Sequence, residues 1–171
     1  MQIEIRRLQS QDAAQFRELR LKALKDHPGS FNADYYEEAQ KDLNYFTDKL
    51  SDEWNREDDL IFGAFSNNLL IGTTGVCKQS KAKKKHSMLM WAVYVSPDYR
   101  GQKISESLVK TVINHVKTIP GIEKIDLQVE ANNIPAKKVY QSLGFKSWGV
   151  EKKCLKHNDQ YFDQEYMSLQ L

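Results

Sequence analysis

The sequence predicts an α/β protein built as one mixed, mostly antiparallel sheet with helices on its faces. Three observations carry that expectation. Hydrophobic periodicity runs in the order strand, two helices, three strands, then helix, strand, helix and two strands. An Asn67-Asn68 pair between two apolar strands marks a hairpin. A strand, a long amphipathic helix and another strand then follow between residues 88 and 129, and that unit needs a crossover connection and so a parallel pair.

Each element has a local reason. Ile3, Ile5 and Arg7 alternate with Glu4 and Arg6 as a short strand, and Ser10 or Asp12 offers an N-cap to the next helix. In that helix Ala13, Phe16, Leu19, Ala23 and Leu24 recur at helical spacing until His27, Pro28 and Gly29 stop it. A second, more polar helix is expected from about Asp34 to Leu50, with Tyr36, Ala39, Leu43, Phe46 and Leu50 on its inner stripe. Leu60 to Ala64 and Leu69 to Val76 form the hairpin, and Met88 to Val95 is an apolar strand ended by Ser96, Pro97 and Asp98. The crossover helix carries Ile104, Leu108, Val109, Val112, Ile113 and Val116 on one face and ends at Pro120-Gly121. Ile125, Leu127 and Val129 alternate as a strand. Asn132 or Asn133 caps a helix with Pro135 in its first turn, Ala136, Val139, Tyr140 and Leu143 inside, and Gly144 past its end. Two strands, around Phe145 to Lys152 and Tyr161 to Leu171, close the chain.

Composition excludes several classes. The 171 residues carry 25 Lys and Arg against 23 Asp and Glu, a net charge of +2, which argues against a polyanion-coating protein. Apolar residues are 40% and charged residues 28%, ordinary for a globular chain, and no repeat or linker divides it, so one domain over 1–171 is expected. The longest apolar run, Met88 to Val95, is far short of the roughly 20 residues of a membrane span. Cys77 and Cys154 form no Cys-x-x-Cys and no signal peptide precedes them, which points to a reducing, cytoplasmic setting. His27, His86, His115 and His157 lack metal-ligand spacing, so no metal is expected. The lysine run at 78–85 joins two strands without interleaved aromatics, and reads as a solvated connection and not a nucleic-acid site. Trp54, Trp91 and Trp148 read as core or pocket lining.

Chemistry concentrates where the strand ending at Val95 turns into the crossover helix. Unpaired N–H groups of a first helical turn, with the helix dipole behind them, stabilise an anion such as a pyrophosphate, and Arg100 and Lys103 add charge. The plainer reading is a tight turn made by Pro97, Asp98 and Gly101. A second cluster follows in Asn133-Ile134-Pro135-Ala136 and Tyr140, where Ala136 and Tyr140 share a helix face. Alone, Asn133 is a cap and Tyr140 a core residue.

Together these motifs resemble the GNAT acetyltransferase superfamily. Ile5-Arg6-Arg7-Leu8 with Asp12, Arg20 to Leu24 and Pro28-Gly29-Ser30-Phe31 resemble its first strand and helix. Val95-x-Pro97-x-Tyr99-Arg100-Gly101 resembles its acetyl-CoA motif, Asn133-x-x-Ala136-x-x-x-Tyr140-x-x-x-Gly144-Phe145 its second motif, and Tyr161-x-Asp163-x-Glu165-x-Met167 its ending. The resemblance implies about seven strands with splayed central parallel strands, and direct transfer of an acetyl group from acetyl-CoA to an amine of a small molecule, peptide or protein. It implies CoA and an amine acceptor as partners, no metal, and a fold whose sheets can pair as a homodimer, while the small net charge and short apolar runs argue against nucleic acid and membrane as partners.

It also assigns residues. Val93, Tyr94 and Val95 would face the pantetheine arm, with strand backbone groups meeting its amides. Backbone N–H groups of the loop Arg100, Gly101, Gln102, Lys103, Ile104, Ser105 and Glu106 would cradle the pyrophosphate. Asn133 and Ala136 would hold the arm, and Tyr140 would protonate the leaving thiolate, since a phenol with a pKa near ~10 stays protonated beside a thiol near ~8.5. Lys103 and Ser105 depart from the small residues usual in the family's loop, and Gln128 stands where some members carry a basic Glu. Glu38 and Glu130 are the candidate bases that remain, with a relay through water as the other route for the proton. The rival reading is a non-catalytic domain that binds CoA or another anion.

Overall fold

The computed structural model describes residues 2–52 and 59–171. Its strands are β1 (Ile3–Arg7), β2 (Asp59–Ser66), β3 (Leu69–Lys78), β4 (Ser87–Val95), β5 (Lys124–Glu130), β6 (Lys146–His157) and β7 (Gln160–Gln170). They form one sheet in the order β1-β2-β3-β4-β5-β7-β6, and every neighbouring pair is antiparallel except β4 with β5. That exception follows from the helix α4 (Ile104–Val116), which carries the chain back to the end where β4 began. The expected hairpin is β2–β3, turning through Asn67 and Asn68 with φ of 49° and 65°.

Strand alternation sends side chains to two cores. On one face Leu60, Phe62 and Ala64 of β2 and Ile125 and Leu127 of β5 meet Leu108, Val109, Val112 and Val116 of α4. On the other, Ile61, Phe65 and Leu70 meet Phe16, Leu19 and Ala23 of α1 (Ala13–Asp26), with Phe46 and Leu50 beneath. Each large apolar side chain taken from water contributes about 1.5–3 kcal/mol, and the alanines less.

The single helix expected over Asp34 to Leu50 is two short ones, α2 (Tyr35–Ala39) and α3 (Leu43–Lys49). The break has a local cause. Asp42, which the periodicity placed inside the helix, caps α3 by accepting from the Tyr45 N–H at 2.9 Å. Arg17 of α1 donates to the Ala39 and Lys41 carbonyls at 3.1 and 3.4 Å, satisfying the end of α2. The inner stripe shifts accordingly: Phe46 and Leu50 are buried, whereas Tyr36 and Leu43 face water and Glu38 is buried instead. Past it, α5 (Ile134–Ser142) is capped by Asn133 as expected, and β6 runs on to His157, beyond the expected Lys152. Trp54 lies outside the described residues. Among the described residues no helix is long and apolar enough to cross a membrane.

The feature that positions the site is a short seam. β4 and β5 pair only from Ser87 to Met90 against Lys124 to Leu127. Beyond that, β4 takes an extra residue: Thr73 of β3 pairs with Tyr94 but Gly75 with Trp91, and Ala92 between them has φ of 53°. This bulge re-aims β4. It continues along β3 while β5 continues along β7 to the Glu130–Gln164 pair, so the two strands part into a wedge.

Candidate active site

The wedge opens into a cavity of about 580 Å³. Val93, Tyr94 and Val95 of β4 supply one wall, and Asn133, which caps α5, with Ala136 and Tyr140 of that helix supply another. At its far end Arg100, Gly101, Lys103, Ile104, Ser105 and Glu106 line it; Gln102 of the expected loop does not.

The junction leaves backbone N–H groups turned toward the cavity end. Pro97–Tyr99 make a single 3-10 turn, then Gly101 and Lys103 both take positive φ, 78° and 58°. The helix ladder starts with the Ser107 N–H donating to the Lys103 carbonyl at 3.0 Å, so the N–H groups of Ile104, Ser105 and Glu106 have no partner one turn back. Arg100 does not join them, since its N–H donates to Pro97 O at 3.1 Å. Among the described residues, no heavy atom beyond its chain neighbours lies within 4 Å of where a Cβ on Gly101 would sit, so backbone is open to a ligand there. The Arg100 side chain clamps the rim instead: Nε donates to Val95 O at 3.1 Å and Nη2 lies 3.0 Å from His27 Nε2. A guanidinium only donates, so that imidazole nitrogen accepts and His27 is neutral. Burial, then the Arg100 charge, lower the His27 pKa in the same sense.

Tyr140 is buried, its ring edge-on to Phe145 at 5.8 Å, and burial pushes its phenol pKa well up. Asn133 Oδ1 accepts from the Ala136 N–H at 3.2 Å, so this side chain is a helix cap that fixes the start of α5 and with it Tyr140.

Where the strands first part, a smaller cavity of about 50 Å³ adjoins the large one. It is lined by Trp91 and Val93 of β4, Gln128 and Glu130 of β5, Ser30, Phe31 and Tyr140. Ser30 Oγ donates to Glu130 Oε2 at 2.8 Å, and Asn32 Nδ2 donates to Gln128 Oε1 at 3.3 Å, tying the segment after α1 to β5. Gln164 of β7 donates to the Gly29 carbonyl at 2.8 Å and holds that segment from beneath. Glu38 is not among the residues lining either cavity. It bridges Arg20 at 3.7 Å and Lys41 at 2.5 Å. Of the tryptophans, Trp91 lines the smaller cavity, whereas Trp148 departs from expectation: it is 65% exposed, stacked on Tyr166 and bonded to Ser168.

Sequence reasoning missed His27 and Ser30, which it used only as a helix stop and a motif fragment. Ser30 and Glu130 stand 100 positions apart, so no local pattern could join them. Among the described residues, no three His, Cys, Asp or Glu side chains gather as a metal-binding group.

A model of the acetyltransferase (GNAT) family matches residues 17–145. A mycothiol acetyltransferase of Brachybacterium faecium is 23% identical over 141 residues, 82% of this chain but 40% of the relative's length, so the chain spans less than half of that relative. An acetyltransferase of GNAT family from Streptococcus pneumoniae superposes with a TM-score of 0.87 at 16% identity, covering 99% of this chain and 100% of the other. A GNAT superfamily phosphinothricin acetyltransferase from Sinorhizobium meliloti, solved in complex with AcCoA, superposes at 0.81 with 16% identity, covering 100% and 89%. At these identities the structural likeness is one of fold.

Proposed function

The chain belongs to the acetyltransferase (GNAT) family, and from that premise we propose that it moves an acetyl group from acetyl-CoA directly to an amine. The observation that carries this reading is the wedge itself: an elongated cavity with an anion cradle at one end and a buried tyrosine and a carboxylate near the other. Bound acetyl-CoA supplies the activated thioester. The free N–H groups of Ile104 to Glu106, with Gly101, Lys103 and the α4 dipole, suit its pyrophosphate. Among the described residues, the β4 edge that faces away from β3 beyond Met90 has no ladder partner, which suits an extended amide-bearing arm.

Transfer forms a C–N bond and breaks the C–S bond, and this chain's residues manage the protons. Glu130, oriented by Ser30, takes the proton the amine nitrogen loses. Tyr140, kept protonated by burial, gives its proton to the departing sulfur, and solvent returns one from Glu130. Glu38, buried between two cations, serves α2 in this scheme and not the amine.

The test follows free thiol release from acetyl-CoA with a panel of amines. Turnover is expected, and Tyr140→Phe should lower kcat by about 10–100-fold while the acetyl-CoA KM changes little. Thermal stabilisation by CoA without turnover on any amine would instead establish the non-catalytic binder, a reading that Gln128 in place of a carboxylate favours.

A further inference from the structure

The smaller cavity is a slot through the sheet. Its Tyr140 and Val93 belong with the core under α4, while Phe31 and Trp91 pack on the core under α1, so it joins the two faces at the point where β4 and β5 separate. Its volume, about 50 Å³, is far below the roughly 300–1,000 Å³ of pockets that enclose whole ligands. Only the tip of a molecule fits. Its walls are fixed. Trp91 lies against Gly75, where a Cβ would come within 2.4 Å of the indole, so β3 backs the ring. Phe31 is held by the segment that Ser30, Asn32 and Gln164 tie down. Glu130 is the one charged side chain lining the slot among the described residues; Arg20 lies over the Phe31 and Trp91 rings, 5.5 and 6.0 Å from their centres, and is paired to Glu38.

From this geometry we infer that the acceptor is a primary amine at the end of an unbranched alkyl stem, inserted nitrogen-first between Phe31 and Trp91 toward Glu130. The inference rests on the transferase reading above and names its substrate class. Two flat aromatic walls suit a thin methylene stem. A substituent on the carbon bearing the amine meets the strand backbones, and a carboxylate there also meets Glu130, a like charge. Discrimination by one methyl group in such a space is worth about 10–200-fold.

The experiment compares kcat/KM for n-pentylamine, sec-pentylamine and norvaline, which differ at the amine-bearing carbon by hydrogen, methyl and carboxylate. n-Pentylamine is expected to exceed sec-pentylamine at least tenfold and norvaline by more. Trp91→Ala, checked for folding by its thermal transition, should narrow the first ratio. Equal or better turnover of norvaline or sec-pentylamine overturns the inference and leaves the transferase reading standing. Binding of acetyl-CoA with no turnover of any amine removes both.

Discussion

Lys103 adopts a left-handed backbone conformation at the entrance to α4, with φ of 58°. A side chain there costs roughly 1 kcal/mol relative to glycine. The position therefore trades local stability for a cation at the rim of the cavity. Lys103→Gly should raise the unfolding free energy by about 0.5–1 kcal/mol in urea titrations while weakening CoA by a few-fold at most. An unchanged stability would mean the turn carries no strain. At this scale the sequence was most readable where a role is local. Gly101, the Asn133 cap and Tyr140 sit within one turn of the residues that define them. The surroundings of Glu130 were not legible, because the Ser30 hydroxyl that bonds it stands 100 positions away in the chain.

At the scale of elements, the decisive piece is the short segment from Pro28 to Asn32. It has little regular structure and is held by side chains from two strands. Gly29 lies so close to Phe162 that a Cβ would come within 2.1 Å of its ring. Gly29→Ala must displace a half-buried aromatic, and should cost about 1–3 kcal/mol of stability and raise the acceptor KM more than the acetyl-CoA KM. Equal effects on both constants would separate this segment from the acceptor. The strands and α4 were readable because periodicity reports burial directly. The region 34–50 was not, because Asp42 and Arg17 end a helix through bonds that a hydrophobic stripe does not encode.

Across the whole molecule, acid stability follows from two tied carboxylates. Asp12 takes a bidentate grip from Arg6 at 2.7 and 2.8 Å, joining β1 to α1, and Lys137 of α5 meets Glu165 of β7 at 2.6 Å. Both partners hold their carboxyl pKa below the usual range. With folded values depressed, this stabilisation is complete above the unfolded range of about 3.9–4.3 and is lost as pH falls through the folded values. The thermal midpoint should stay level from neutrality to about pH 5 and fall below about pH 4, and Asp12→Asn should flatten that fall. A fall that Asp12→Asn leaves unchanged would assign it to other groups.

The seam between β4 and β5 also bears on how the chain is made. Strands β1 to β4 and helix α4 precede residue 124 in the chain, and until β5 arrives the edge of β4 from Ser87 to Met90 is open. A nascent chain stalled or truncated after α4 would thus display a self-complementary sticky strand. The last part of the protein, from β5 onward, thus covers the edge that the earlier strands leave open from Ser87 to Met90.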